Sequence, residues 1–169
     1  MHIFSNAQLI YPFLLDKSIY CVSIMQSILP ATLLTKAGPK PTAEVLAGKK
    51  AVGLYFSAHW CPPCRGFTPI LAQFYSALKK ADANALEIIF VTSDENDESF
   101  MGYYGEHPWT AVAYGDETIE RLGETCGVRG IPSFQIFNPA TGNIVEADGR
   151  SAVMNGKGDP AGTAAKWAK

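Results

Sequence analysis

Apolar and polar positions change in blocks from residue 42 onward, and the blocks predict strands and helices in turn. KAVGLYFS (50–57) and LEIIFVTS (86–93) are short apolar runs rich in aromatic or β-branched side chains, which is typical of buried strands. Between them, apolar residues recur at helical spacing. This apolar face consists of Phe67, Ile70, Leu71, Phe74 and Leu78. A strand, a helix and a second strand in this order predict a right-handed βαβ unit with parallel strands.

The last third of the chain predicts an antiparallel addition to this unit. SFQIFN and NIVEAD are strand-like, and the intervening PATG predicts a hairpin turn. Asp159 and Pro160 suit the start of a closing helix. We therefore expect an α/β fold, in which helices flank a central mixed β-sheet.

The first 38 residues differ from the rest of the chain. AQLIYPFLL and SIYCVSIM are apolar runs, but Pro12 and the pair Asp16–Lys17 keep each below the ~18–20 residues that span a bilayer. The segment lacks the basic flank of a secretory signal, and an organellar transit peptide has only weak support. We expect residues 1–38 to form an extension outside the fold and residues 39–169 to form the domain. Met25 is a second candidate start.

Composition and charge fit one ordinary domain. The chain has 169 residues, of which 47% are hydrophobic, so it is able to bury a core. Its net charge is −2, from 14 basic and 16 acidic residues. This near balance gives no reason to expect nucleic acid or an anionic membrane as a main partner.

Four cysteines, Cys21, Cys61, Cys64 and Cys126, are too few for a domain held together by disulfides. We therefore expect a reducing compartment, the cytoplasm, and a working pair at Cys61 and Cys64. Cys126 is expected to be a buried free thiol, and Cys21 has no assigned role.

The pair lies in SAHWCPPCRGF (57–67), directly after a predicted strand and at the start of a predicted helix. The free backbone N–H groups and the dipole of a helix N-terminus favour a thiolate, so the pKa of Cys61 is expected to fall below the free value of ~8.5. Pro62 and Pro63 are tolerated in the first turn and stiffen the loop. Cys61 would attack a target disulfide, and Cys64, one turn further on, would displace the target.

Two alternatives for the pair are less well supported. A zinc site needs about four ligands, but the chain has no second pair, and His59 is the only histidine nearby. A purely structural disulfide would close a very short loop and stabilise little. Arg65 adds positive charge near the pair or covers the helix surface.

Three segments resemble the tryparedoxin and nucleoredoxin branch of the thioredoxin superfamily. YFSAHWCPPCRGFTP is similar to its active-site signature, and SDENDESFMGYYGEHPW to its acidic loop, helix and Pro-Trp. CGVRGIPSFQIFNPATG resembles its cis-proline segment and hairpin. The resemblance covers residues 40–169 and implies a thioredoxin-like fold. By this resemblance Cys61 matches the nucleophile and Cys64 the resolving cysteine.

The same resemblance implies a docking surface beside the pair. Pro132 matches the cis-proline, and Ile131 would then offer its backbone to an extended target segment. Trp60 would form one apolar wall. Trp109, after Pro108, would either extend the surface or belong to the core. Arg150 matches an arginine linked in tryparedoxins to binding of the glutathione–polyamine electron donor. The alternative for Arg150 is a solvated side chain after the hairpin.

One position departs from ordinary thioredoxins, which carry a buried aspartate on the strand before the pair. Tyr55 stands there, as expected of the tryparedoxin branch. The group that takes the proton from Cys64 is therefore open, and the candidates are Tyr55 through a water, Asp94 and Glu95.

The predicted activity is reduction of protein disulfides by dithiol–disulfide exchange in a monomer without a bound cofactor. The resemblance implies recipients such as peroxiredoxins and re-reduction by thioredoxin reductase, glutathione or trypanothione. One alternative is a redox-gated adaptor of the nucleoredoxin type. A thiol peroxidase is a weaker alternative, because SAHW precedes Cys61 instead of the threonine and proline of such enzymes.

Overall fold

A seven-stranded mixed sheet forms the centre of the structure, a computed structural model that describes residues 27–168. The strands are β1 (Thr32–Thr35), β2 (Gly38–Pro41), β3 (Val52–Ser57), β4 (Glu87–Thr92), β5 (Thr110–Ala111), β6 (Ser133–Phe137) and β7 (Ile144–Glu146). The helices are α1 (Thr42–Leu46), α2 (Pro62–Ala81), α3 (Asp97–Gly105), α4 (Thr118–Thr125), α5 (Gly149–Gly156) and α6 (Pro160–Ala165). The strand order is β2-β1-β5-β4-β3-β6-β7.

The predicted βαβ unit is confirmed at the middle of this sheet. Strands β3 and β4 pair in parallel, with Leu54 opposite Ile89, and α2 connects them. Every residue of both strands is buried, as expected for central strands covered on both faces. Strand β6 pairs antiparallel with β3, and β7 pairs antiparallel with β6. The α/β prediction with a mixed sheet is correct.

Two apolar cores lie on opposite faces of β3. The core on the α2 face is rich in aromatic side chains, with Tyr55 near its centre. The core on the other face is mainly aliphatic and includes Leu54 from the same strand. The alternation of neighbouring strand residues between the two faces explains why β3 contributes to both.

The predicted domain boundary at residue 38 is wrong for residues 29–38. Strand β1 pairs with β5, with Leu34 opposite Ala111, and β2 pairs with β1. Leu29 and Leu33 are buried in the aliphatic core. The two strands have four residues each and β2 is mostly exposed, so no long apolar pattern marked them. The apolar runs before residue 26, with Cys21 and Met25, lie outside the described residues.

Between residues 27 and 168, none of the helices combines the length and the apolar character that crossing a bilayer requires.

Candidate active site

The cysteine pair lies at the N-terminus of α2, directly after the buried strand β3. Cys61 is the N-cap residue, with extended backbone angles, and its Sγ atom accepts a hydrogen bond from the backbone N–H of Cys64 at 3.3 Å. Pro62 and Pro63 occupy the first turn, where a missing N–H removes no intrahelical bond. The two cysteines are joined as a disulfide, with Cα atoms 5.2 Å apart. The position that the sequence predicted for the pair is therefore observed.

The two sulfurs differ in their access to solvent. Cys64 is fully buried, whereas 3% of Cys61 remains exposed. Both pack with Ala58 and against Ile131 in a small apolar cluster. Any group that approaches the pair from outside therefore reaches Cys61 first.

The segment opposite the pair contains the cis-proline that the resemblance implied. The Ile131–Pro132 peptide bond is cis. The carbonyl oxygen of Ile131 lies 3.8 Å from Cys61 Sγ. The backbone that leads into β6 thus passes within contact distance of the more accessible sulfur.

Trp60 presents its ring beside the pair. Its side chain is 55% exposed, yet its Nε1 donates a hydrogen bond to the carbonyl of Ser93 at 2.9 Å. A single polar contact holds the indole in one orientation while its apolar surface faces solvent. This combination suits a contact surface better than a core position.

The backbone of His59 is held on both sides. Its N–H donates to Asp94 Oδ1 at 2.7 Å, and its carbonyl accepts from Arg65 Nη1 at 2.8 Å. The second carboxylate oxygen of Asp94 accepts from Thr92 Oγ1. Asp94 and Arg65 therefore fix the loop that carries Trp60 and Cys61.

A closed ring of four buried hydroxyl groups lies beneath Cys64. Ser57 Oγ donates to Tyr55 Oη at 3.0 Å and lies 3.1 Å from Tyr103 Oη, and Thr68 Oγ1 contacts both phenols. Thr68 Oγ1 also donates to the carbonyl of Cys64 at 3.0 Å, and Tyr55 Oη lies 3.4 Å from the same oxygen. The ring thus has four hydroxyl protons to donate, and the Cys64 carbonyl is an additional acceptor beside it.

Burial raises the pKa of the Tyr55 phenol well above its ordinary value, although hydrogen bonds from Ser57 and Thr68 oppose this. The phenol is therefore protonated at neutral pH and acts as a hydrogen-bonding group, not as an ionised base.

Arg150, the second residue of α5, lies at the cis-proline. Its Nη1 donates to the carbonyl of Pro132 at 3.2 Å. Its guanidinium carbon lies 5.6 Å from the centre of the Phe67 ring on α2. Arg150 thus contacts both the segment opposite the pair and the helix that begins at the pair.

A family model described as thioredoxin-like matches residues 48–144. The chain belongs to the thioredoxin-like family. Tryparedoxin from Trypanosoma brucei brucei is 41% identical over 136 residues, which cover 80% of this chain and 90% of that protein. Human nucleoredoxin is 42% identical over 135 residues, 70% of this chain. The match spans about a third of nucleoredoxin's length (31%).

Solved structures of tryparedoxins superpose on this chain. A structure of tryparedoxin from Trypanosoma brucei superposes with a TM-score of 0.71 at 42% identity, over 80% of this chain and 92% of that one. Tryparedoxin II complexed with glutathionylspermidine superposes with a TM-score of 0.72 at 33% identity, over 80% of this chain and 92% of that one. Membership of the thioredoxin-like family, together with the CxxC pair, implies a thiol–disulfide oxidoreductase.

Trp109 belongs to the core of this thioredoxin-like domain, so its assignment to the docking surface is wrong and the core alternative is confirmed. Only 2% of its surface is exposed, and its ring packs edge-on against Tyr55 at 5.9 Å and Tyr75 at 5.8 Å. The Pro-Trp sequence gave no indication of which way the indole would turn, because the aromatic core that receives it forms from β3 and α2.

Two further predictions concern the thiol of Cys126 and a possible metal site. Within the part of the chain that the structure describes, Cys126 is a buried free thiol, as predicted, and burial raises its pKa to about 11. Across residues 27–168 of the thioredoxin-like domain, no group of three or more His, Cys, Asp or Glu side chains is arranged to hold a metal ion.

The hydroxyl ring is the part of the site that sequence reasoning missed, apart from Tyr55. Two signals were present in the sequence. Tyr55 and Ser57 are two residues apart on a strand and so share a face, and Thr68 follows Cys64 by one helical turn. Tyr103 comes from α3, and only the tertiary structure brings its hydroxyl to Thr68 on α2.

Proposed function

We propose that this domain reduces protein disulfides, with Cys61 as the nucleophile and Cys64 as the resolving cysteine. One observation carries the proposal: Cys61 Sγ caps the N-terminus of α2 and lies beside the Ile131 carbonyl, so the reactive sulfur and a backbone docking edge adjoin. In the dithiol form, the Cys64 N–H and the helix dipole would stabilise a Cys61 thiolate.

Two exchange steps transfer two electrons from the dithiol to the target. The Cys61 thiolate attacks one target sulfur, a mixed disulfide forms, and the other target sulfur leaves as a thiolate that takes up a proton. Cys64 then loses its proton and attacks Cys61 Sγ. The Cys61–Cys64 disulfide forms, and the second target sulfur leaves as a thiolate.

An extended target segment would bind along residues 131–133, which we name the docking segment. Ile131 would offer backbone groups to the target in the manner of an added strand. The exposed ring of Trp60 would form an apolar wall on the other side of Cys61. A direct contact between Arg150 and an anionic electron donor stays a prediction from the resemblance.

The redox centre would need no bound cofactor, because both electrons reside on the two sulfurs. Thioredoxin reductase with NADPH, glutathione and trypanothione are the candidate donors, and peroxiredoxins are candidate recipients. The likeness to a tryparedoxin solved with glutathionylspermidine adds that thiol to the donors worth testing. We place the protein in the cytoplasm and expect it to act as a monomer.

A turnover assay with insulin as the disulfide substrate tests this proposal, with each candidate donor supplied in parallel. Cys61→Ser should abolish turnover, and Cys64→Ser should accumulate mixed disulfides that run as reducible adducts on gels. Cys126→Ser is the matched control, because it removes a buried thiol that belongs to a different apolar cluster from the pair. Full turnover by Cys61→Ser would overturn the assignment.

A redox-gated adaptor is the second candidate, because the chain is 42% identical to human nucleoredoxin over the matched region. An adaptor would bind its partner equally well when Cys64 is replaced and would turn over slowly. A Cys64→Ser variant that binds a partner without trapping any target would therefore favour the adaptor.

A further inference from the structure

We propose that Arg150 is a positioning residue that holds the docking segment (residues 131–133) in a fixed position relative to α2, the helix that begins at the cysteine pair. The proposal rests on the proposed function and adds to it a determinant of which targets react. Arg150 would act through the Pro132 carbonyl, without needing to touch the target.

The first observation is the hydrogen bond from Arg150 Nη1 to the Pro132 carbonyl at 3.2 Å. Proline has no N–H, so this carbonyl is the only backbone hydrogen-bonding group of the residue. The preceding carbonyl, that of Ile131, lies 3.8 Å from Cys61 Sγ. Of two successive carbonyls, one lies beside the reactive sulfur and the next is held by Arg150.

The second observation is the contact between Arg150 and α2. The guanidinium group lies over the ring of Phe67, three residues after Cys64 on the same helix. Arginine favours such aromatic faces, and its planar fork keeps its direction better than a lysine ammonium would. One side chain therefore connects the docking segment with the helix that carries both sulfurs.

The third observation explains how the backbone of Arg150 is fixed. A Cβ atom at Gly149 would lie 2.8 Å from the backbone oxygen of Phe134, so only glycine allows α5 to begin this close to β6. Asp148 Oδ1 caps the same helix start by accepting from the Ser151 N–H at 3.1 Å. The first turn of α5 thus packs against β6, the strand that begins within the docking segment.

A positioning role of Arg150 and a direct contact between its charge and the substrate predict different effects on the reduction of different disulfides. A positioning residue affects every target that binds along the docking segment, whatever its charge. It has little effect on a disulfide that reacts at Cys61 but is too small to bind along that segment. A direct charge contact affects only anionic substrates.

The experiment compares Arg150→Met, Arg150→Lys and the control Arg121→Met, which removes an exposed arginine of α4. Each is assayed with hydroxyethyl disulfide, with an uncharged ten-residue peptide disulfide with blocked termini, and with the same peptide carrying two added aspartates. For Arg150→Met we expect KM to rise about tenfold for both peptides with kcat unchanged, equivalent to about 1.4 kcal/mol. Hydroxyethyl disulfide should change less than twofold, and Arg150→Lys should recover only part of the loss.

A loss confined to the aspartate-bearing peptide would overturn the proposal in favour of a direct charge contact. Equal losses with all three disulfides would overturn it in favour of a general effect on the pair.

Amide hydrogen exchange in the oxidised protein tests the positioning without any turnover. In Arg150→Met, exchange at Ser133 should be about tenfold faster, while Ile89 in the central strand β4 should be unchanged. Unchanged exchange at Ser133 would overturn the proposal. If the wild-type protein reduced no disulfide, the proposed function would fail, and this measurement would still decide whether Arg150 holds the docking segment.

Discussion

The backbone N–H of Cys64 donates to the sulfur of Cys61 at 3.3 Å, so the side chain of the first cysteine caps the N–H of the second. The contact exists because Cys61 occupies the N-cap position of α2, where N–H groups have no intrahelical partner. The same geometry that starts the helix therefore places partial positive charge at the reactive sulfur.

The first prediction concerns the reactivity of Cys61 in the dithiol form. The helix N-terminus should lower its pKa, so alkylation by iodoacetamide should reach half its maximal rate below pH ~8.5, the value for a free thiol. Fragment ions in tandem mass spectrometry separate alkylation at Cys61 from alkylation at Cys64 in the same peptide and give the rate for Cys61 alone. Cys126, whose pKa burial raises to about 11, is the internal control and should react far more slowly. Half-maximal alkylation of Cys61 above pH 9 would contradict the prediction.

Removal of one hydroxyl from the buried ring should reduce stability. Tyr103→Phe leaves Ser57 and Thr68 each without one partner in an apolar environment. We expect the free energy of unfolding to fall by about 1–3 kcal/mol in urea titrations, because two buried hydrogen bonds are lost at about 0.5–1.5 kcal/mol each. The control is Tyr114→Phe. The Tyr114 hydroxyl donates to the Glu95 carbonyl at an exposed position, so its removal should lower the free energy of unfolding by no more than about 0.5 kcal/mol. Equal losses in the two variants would show that the buried hydroxyl ring stabilises the fold no more than an exposed hydrogen bond does.

His107 should make stability depend on pH. Its ring is buried among aromatic side chains, and neither ring nitrogen has a hydrogen-bond partner among residues 27–168. Burial together with the Lys36 charge lowers its pKa to about 3. The unfolded chain protonates this residue near pH 6.5, whereas the folded protein does not. The contribution of neutral His107 to the free energy of unfolding is therefore complete above pH 6.5 and is lost as the pH falls toward 3.

The measurement compares the wild-type protein with His107→Leu in urea titrations at pH 7 and pH 5. The wild-type protein should lose about 2 kcal/mol more than the variant between these values, at about 1.4 kcal/mol per pH unit below pH 6.5. Since the readout is the difference in pH dependence, an overall loss of stability in the variant does not affect it. Identical pH dependence in both proteins would contradict the low pKa of His107.

Leu33 tests whether residues before the predicted boundary belong to the fold. It is fully buried on β1, so Leu33→Ala should cost about 2–5 kcal/mol of unfolding free energy. Leu34→Ala on the same strand is the matched control and should cost less, because Leu34 is only half-buried. A loss below 0.5 kcal/mol for Leu33→Ala would place the hairpin of β1 and β2 outside the cooperative unit.

The sequence was a good guide wherever the signal was local. Apolar runs and helical spacing predicted β3, α2 and β4, and the position of Cys61 at a helix start followed from the order of these elements. Residue types near the pair also indicated the chemistry, because two cysteines separated by two prolines at a helix N-terminus favour thiol exchange over metal binding.

Contacts between distant segments were decided only by the tertiary structure. Trp109 turns into the aromatic core, Tyr103 completes the hydroxyl ring, and Arg150 reaches Pro132. Each of these contacts depends on how helices and strands pack across a sheet whose order differs from the chain order. Periodicity along the chain determines which face of an element is apolar, whereas the packing of elements determines which side chains meet.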